Sequence, residues 1–178
     1  MKIVVILMPF LLLAHDEILT PEALVLPNFY PFGQSEGDLL LPPNDDRSSG
    51  TVPISIPFPF FDQNHNSLFV NTNGVISFLV EVSQYTPDAF PLGDNRRLVA
   101  PFWADVNTNV AGEVFYRETT DPNLLQQATN DVTATFVSHR KFRATWLLVV
   151  TWYEVAFFGA RGNYTSMVRQ VCGNIIIQ

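Results

Sequence analysis

Hydrophobic and polar residues alternate with a period of two through much of the chain, and the alternation predicts strands. Val52, Ile54, Ile56, Phe58 and Phe60 are separated by Pro53, Ser55, Pro57 and Pro59, which reads as a strand with one buried face. On the proline side only Ser55 can donate a backbone hydrogen bond, so this strand belongs at a sheet edge. Leu68-Phe69-Val70 and Val75-Ile76-Ser77-Phe78 flank Asn71-Thr72-Asn73-Gly74, and Asn-Gly predicts a hairpin because both residues tolerate positive φ. Leu98, Ala100, Phe102, Ala104 and Val106 alternate with Val99, Pro101, Trp103 and Asp105. That predicts a central strand, returning after Asn107–Gly112 as Glu113–Glu118 in a second hairpin. Phe142–Phe158 is the longest strand candidate, with Trp146, Leu148, Val150 and Trp152 on one side and Thr145, Leu147, Val149 and Thr151 on the other.

One segment changes period. Leu125, Ala128, Val132 and Phe136 recur at helical spacing behind Pro122, with Thr120 or Asp121 available as cap, which predicts a helix over about 122–137 lying across one end or face of the sheets. The fold class is therefore mainly β: an antiparallel sandwich or flattened barrel with one helix. Nine of the thirteen prolines precede residue 60, so residues 15–50 read as an extended lead-in and loop. Ahead of it, Lys2 and the apolar run Ile3–Ala14 have the form of a secretory leader over 1–14, too short to span a bilayer and stopped by His15-Asp16-Glu17. No second apolar stretch is long enough to anchor the product, since Thr145, Thr151 and Glu154 interrupt the best one.

Composition narrows the functional classes. Charged residues are 15% of the 178, against about 25% in a usual soluble domain, while 47% are hydrophobic and fifteen are Phe, so a single packed body is expected. The net charge of −7 argues against nucleic acid, with cations clustered only at Arg96-Arg97 and Arg140-Lys141-x-Arg143. Three His and one Cys are too few for a structural zinc site. His65 and His139 read as solvated loop residues. Export would leave Cys172 without a partner in this chain, to be paired with another chain or with a cysteine further downstream, or left as an exposed or buried thiol, and would make Asn163-Tyr164-Thr165, the only Asn-x-Ser/Thr sequon, a glycosylation acceptor.

Motifs for nucleophilic, metalloprotease, phosphate-binding or dinucleotide chemistry are missing. Asp105, Glu113 and Glu118 are the carboxylates a glycosidase would need, but their spacing is unspecific. Asp105, Asn107 and Asn109 place oxygen side chains at alternate positions, as calcium loops do; Val110 and Tyr116 stand where an EF-hand needs Gly and Glu, which leaves only a looser lectin-like calcium site.

Several blocks resemble one family: Val70–Phe78, Val82-Ser83-Gln84-Tyr85-Thr86-Pro87, Phe90-Pro91-Leu92, Val99–Val106, Gly112–Glu118, and Ala144-Thr145-Trp146 through Val150-Thr151-Trp152, with the upstream Asp45-Asp46-x-Ser48-Ser49 loop. In order and spacing they are similar to the nidogen-type extracellular domain, from about Tyr30 to Gly159, with the module proper over 51–159. The resemblance implies a secreted, non-catalytic module of cell-matrix adhesion, without cofactor, that binds matrix proteins or glycans; Tyr85, Phe90 and Arg96-Arg97 are candidate anchors. The alternative is a lectin-like β-sandwich, calcium-dependent through Asp105, Asn107 and Asn109. Residues 160–178 diverge from the family pattern, which predicts a module incomplete at its C-terminus, with a sheet edge left unpaired or part of the core uncovered.

Overall fold

A computed structural model describes residues 4–7, 29–60, 63–160 and 171–177. Its strands are β1 (Val4–Leu7), β2 (Leu39–Leu41), β3 (Val52–Phe60), β4 (Gln63–Asn71), β5 (Val75–Ser77), β6 (Leu98–Val99), β7 (Glu113–Thr119), β8 (Trp146–Tyr153) and β9 (Val171–Ile177), with one helix, α1 (Pro122–Thr135). They form two antiparallel sheets, ordered β1-β9-β8-β7-β2 and β3-β4-β5-β6.

The sheets face each other across one core. Alternate residues of β8 (Trp146, Leu148, Val150 and Trp152) meet Val114 and Tyr116 of β7 and Phe58, Leu68, Val70 and Ile76 of the smaller sheet. Burying each such side chain stabilises the fold by about 1.5–3 kcal/mol. The other face of β8 is also covered: Leu147 and Val149 pack with Ala128 and Val132 of α1, with Tyr30 and with Ala144. The two apolar faces read from residues 145–152 thus have separate partners, a sheet and a helix. Asp121 caps α1 through Oδ1, which accepts from the backbone N–H of Asn123 (2.9 Å) and Leu124 (3.0 Å), with Pro122 in the first turn where its missing N–H matters least.

As expected, β3 is an edge strand. The N–H of Ser55 and its hydroxyl both donate to Glu118 of β7, at 2.9 and 2.7 Å, so a carboxylate from the facing sheet occupies the one donor that the prolines leave. The expected Asn-Gly hairpin joins β4 to β5, with Gly74 at φ 78° and its N–H donating to the Asn71 carbonyl at 3.3 Å.

Several expectations are corrected. Residues 98–106 are not a central strand: only Leu98–Val99 forms a strand, at the margin of the smaller sheet, the chain then bends at Trp103 (φ 22°), and Val106 meets Phe157 as an isolated bridge. The segment is apolar on both sides because it passes between layers, Phe102 joining the inter-sheet core and Trp103 a cluster with Val75, Val82 and Leu98. It forms no hairpin with β7, which pairs with β2 and β8 in the other sheet. The long strand is confined to 146–153, and the lead-in contributes β2, tied down by a buried ion pair between Asp38 and Arg117 (2.5 Å). His65 is no loop residue: it lies in β4, 5% exposed, its ring tilted by 38° against Phe78 at 5.1 Å between centroids.

At the C-terminal side β9 pairs along β8 from Trp146 to Trp152, so the edge expected to stand open carries a strand. Cys172 falls opposite Thr151 in that register. Of the expected leader only Val4–Leu7 is described, as β1 against β9, and Asn163 lies outside the described residues.

Candidate functional site

The β4–β5 hairpin is the organising centre of one end of the sandwich. Asn71, Thr72 and Asn73 are each at most 1% exposed, so every polar atom there needs a partner within the protein. The Asn71 amide donates to the Val75 carbonyl (3.0 Å) and Ser77 Oγ (3.2 Å), its Oδ1 accepts from Val82 N–H (2.9 Å), and its backbone carbonyl accepts from Trp152 Nε1 (3.2 Å). Thr72 Oγ1 donates to the Arg47 carbonyl (2.9 Å). Asn73 reaches two loops at once: Nδ2 donates to Asp46 Oδ1 (2.7 Å), and Oδ1 accepts from the N–H of Val106 (2.8 Å).

That reach brings Asp46 beside the segment after Trp103. Carboxylate oxygens of Asp45, Asp46 and Asp105 lie within 4.8 Å of one another. Burial and the Asp46 charge raise the Asp45 carboxyl above its usual range; Asp105 is raised by burial first, then by the charges of Asp45 and Asp46. Three hard oxygen donors are the type that calcium or magnesium takes. Exposed Phe158 is joined to this segment, its N–H donating to the Asp105 carbonyl at 3.0 Å.

Asp105, expected beside Asn107 and Asn109, is thus joined by Asp45 and Asp46. Asn107 Oδ1 accepts from the backbone N–H of Asn109 at 3.0 Å, closing a turn. Asp45 and Asp46 were legible only as part of a loop, because sixty residues separate them from Asp105 and nothing local signals their convergence. Glu113 and Glu118 stand at opposite ends of β7, about 17 Å apart at the rise of a strand, beyond the roughly 5–9.5 Å of a glycosidase pair. Glu118 is engaged by Ser55 and by Trp146 Nε1 (2.8 Å); burial raises its carboxyl, and the three bonds outweigh that and hold it below its usual range.

A second loop, residues 79–97, packs Val82 and Leu92 in a cluster with Val75 and Leu98 of the smaller sheet. Tyr85 and Phe90 are 52% and 63% exposed, as anchors must be, and Leu79 and Val80 are exposed beside them in sequence. Arg96 is committed internally: it pairs with Asp88 and Asp94, donates to Gln84 and lies over the Trp103 ring at 5.8 Å. The Arg97 carbonyl accepts from Phe78 N–H (2.9 Å). His139 sits in a tight turn after α1, its Nδ1 2.8 Å from Ser138 Oγ. Among the described residues no helix is long and apolar enough to cross a membrane.

Residues 66–170 match the nidogen-like domain family. The chain is 48% identical to alpha-tectorin of Mus musculus over 139 residues, covering 78% of this chain and 6% of that protein. It is 37% identical to nidogen-2 of Mus musculus over 157 residues, 86% of this chain and 11% of that one. With the nidogen of Drosophila melanogaster the identity is 28% over 130 residues, 71% and 10% of the two chains. No solved structure matches.

Proposed function

This chain belongs to the nidogen-like domain family, and from that premise we propose that it is a secreted, non-catalytic adhesion module that binds matrix proteins or glycans through its surface. The nidogens and alpha-tectorin are secreted extracellular matrix proteins, and the chain spans only about a tenth or less of their length. The observation that carries the reading is the family match itself, which runs through the buried hairpin, β7 and β8. Two features support adhesion over catalysis: the carboxylates of β7 are separated and bonded elsewhere, and the loops present aromatic side chains outward. Tyr85 and Phe90 are the anchors of this reading, since large aromatics supply most of the energy at protein interfaces. Export by a leader over 1–14 and glycosylation at Asn163 belong to the same proposal.

The test is expression with the native N-terminus in matrix-depositing cells. The chain is expected in the medium and the detergent-insoluble matrix, and Tyr85→Ser with Phe90→Ser is expected to lower matrix retention at least fivefold at unchanged secretion. Retention in the cytosol, or equal deposition of the double variant, overturns the proposal. The lectin-like reading instead requires matrix retention that is lost in a calcium chelator and restored by calcium, with Asp105→Ala abolishing the heat of calcium binding.

A further inference from the structure

Seven of the chain's lysines and arginines lie among the described residues, and most have structural duties or stand singly. Arg96 and Arg117 are in ion pairs with Asp88, Asp94 and Asp38. Arg140, Lys141 and Arg143 differ: all three are exposed, they fall within four consecutive positions, and no carboxylate among the described residues comes within 4.0 Å of any of them. The only carboxylate between Pro122 and Trp146 is Asp131, and it accepts from the Tyr30 hydroxyl at 2.8 Å. On a chain of net charge −7 this is a local reversal of sign.

The segment carrying the three cations is fixed at both ends. Phe136 N–H donates to the Val132 carbonyl at the end of α1, and Ala144 N–H donates to Thr129 Oγ1 at 3.0 Å on the same helix. Between them two tight turns follow one another, with His139 N–H donating to the Phe136 carbonyl and Phe142 N–H to the His139 carbonyl, each at 2.8 Å. Phe142 packs against the cluster of Tyr30, Ala128 and Val132. The cations therefore sit on a held loop, which lowers the ordering cost of binding a ligand.

We propose that the Arg140-Lys141-Arg143 loop is a binding site for a sulfated polysaccharide. The inference rests on the extracellular reading above and names its ligand class. Two of the three cations are arginines, whose planar forks suit a tetrahedral or planar oxyanion with two parallel hydrogen bonds. Anionic lipid is concentrated on the cytoplasmic leaflet, so outside a cell the dense polyanions are sulfated glycans. Neutralising three charges on a linear polyanion gives a slope of about −2.1 to −2.7 in log affinity against log salt, a roughly 18- to 42-fold loss between 50 and 200 mM NaCl.

The experiment is binding of the full chain to immobilised heparin, to desulfated heparin and to vesicles containing phosphatidylserine. Arg140→Ser/Lys141→Ser/Arg143→Ser is compared with a control of equal net charge, Arg47→Ser/Asn64→Asp/Asn66→Asp, also at exposed positions. Wild type is expected to bind heparin at 100 mM NaCl and not its desulfated form, the triple variant to lose at least tenfold and the control less than threefold. Lys141→Ser alone, expected to lose two- to fourfold, keeps the test decisive if the triple variant is poorly folded. Equal losses in triple variant and control, equal binding of desulfated heparin, or preference for the vesicles overturns the site. If heparin binding fails while deposition still depends on Tyr85 and Phe90, only this site falls; loss of deposition removes the matrix reading instead.

Discussion

Replacing Asn71 by Ala tests whether the buried hairpin holds this end of the sandwich together. The side chain is fully buried and makes three bonds of ordinary length, to the Val75 carbonyl, Ser77 Oγ and Val82 N–H. Ser77 keeps its own acceptor, the Val80 carbonyl at 2.6 Å, so two groups lose a partner: Val82 N–H and the Val75 carbonyl. A buried polar group left unsatisfied costs about 1–3 kcal/mol, which for two groups gives a loss of about 2–6 kcal/mol. Against a total stability of about 5–15 kcal/mol, that is a large fraction, and at this chain length it lowers Tm by roughly 4–24 °C. Urea unfolding followed by tryptophan fluorescence measures it, with Asn95→Ala, on an exposed bend, expected within about 0.5 kcal/mol of wild type. Asn71→Asp keeps the acceptor for Val82 but sets a carboxylate against the Val75 carbonyl; its loss should be at least as large at pH 7 and should shrink on acidification, because protonation restores a donor. An Asn71→Ala loss below about 0.5 kcal/mol would refute the reasoning.

The pH dependence of stability should carry a His65 signature. Burial holds its imidazole below the ordinary 6.5, Arg97 adds to the effect, and a hydrogen bond to the Phe60 backbone opposes it. Its neutral form is favoured in the fold, so its contribution is present above about pH 6.5 and lost as pH falls toward the lower folded value; urea midpoints of His65→Gln should fall less steeply between pH 7.5 and 5.5, and parallel slopes would contradict this. Gly112→Ala should lose more than about 3 kcal/mol, since its Cβ would lie 2.3 Å from Val155 Cα at φ 85°. Gly50→Ala, with φ 70° and nothing within 4 Å, should lose only about 1–2 kcal/mol; similar losses at both positions would show that backbone crowding is not the cause. Asp121→Ala removes the cap of α1 and should cost about 1 kcal/mol in a urea titration, an unchanged midpoint counting against the cap.

Sequence legibility followed how local the cause was. The edge position of β3 was readable because prolines act on their own amides, and α1 because Asp121-Pro122 and the Leu125, Ala128, Val132 spacing lie within one helix. The two faces of β8 were readable from alternation, although not their different coverings. Residues 98–106 misled because apolar residues on both sides of a strand and of a bent passage between layers look alike in one dimension; the left-handed Trp103 separates them only in space. Asn71 and Asn73 were legible as a turn but not as buried, since their partners Val82, Asp46 and Val106 come from three different loops. The same distance in sequence hid the meeting of Asp45 and Asp46 with Asp105.

The proline-studded margin of β3 bears on crowding. In a gel, modules stand shoulder to shoulder, and a bare margin on one would zip onto the next. Pro53, Pro57 and Pro59 carry no amide hydrogen, and Glu118 occupies that of Ser55, so this flank offers an approaching copy almost nothing to recruit. Neighbours meeting along it stay individual at high density, and any contact between copies must use another margin or the loops.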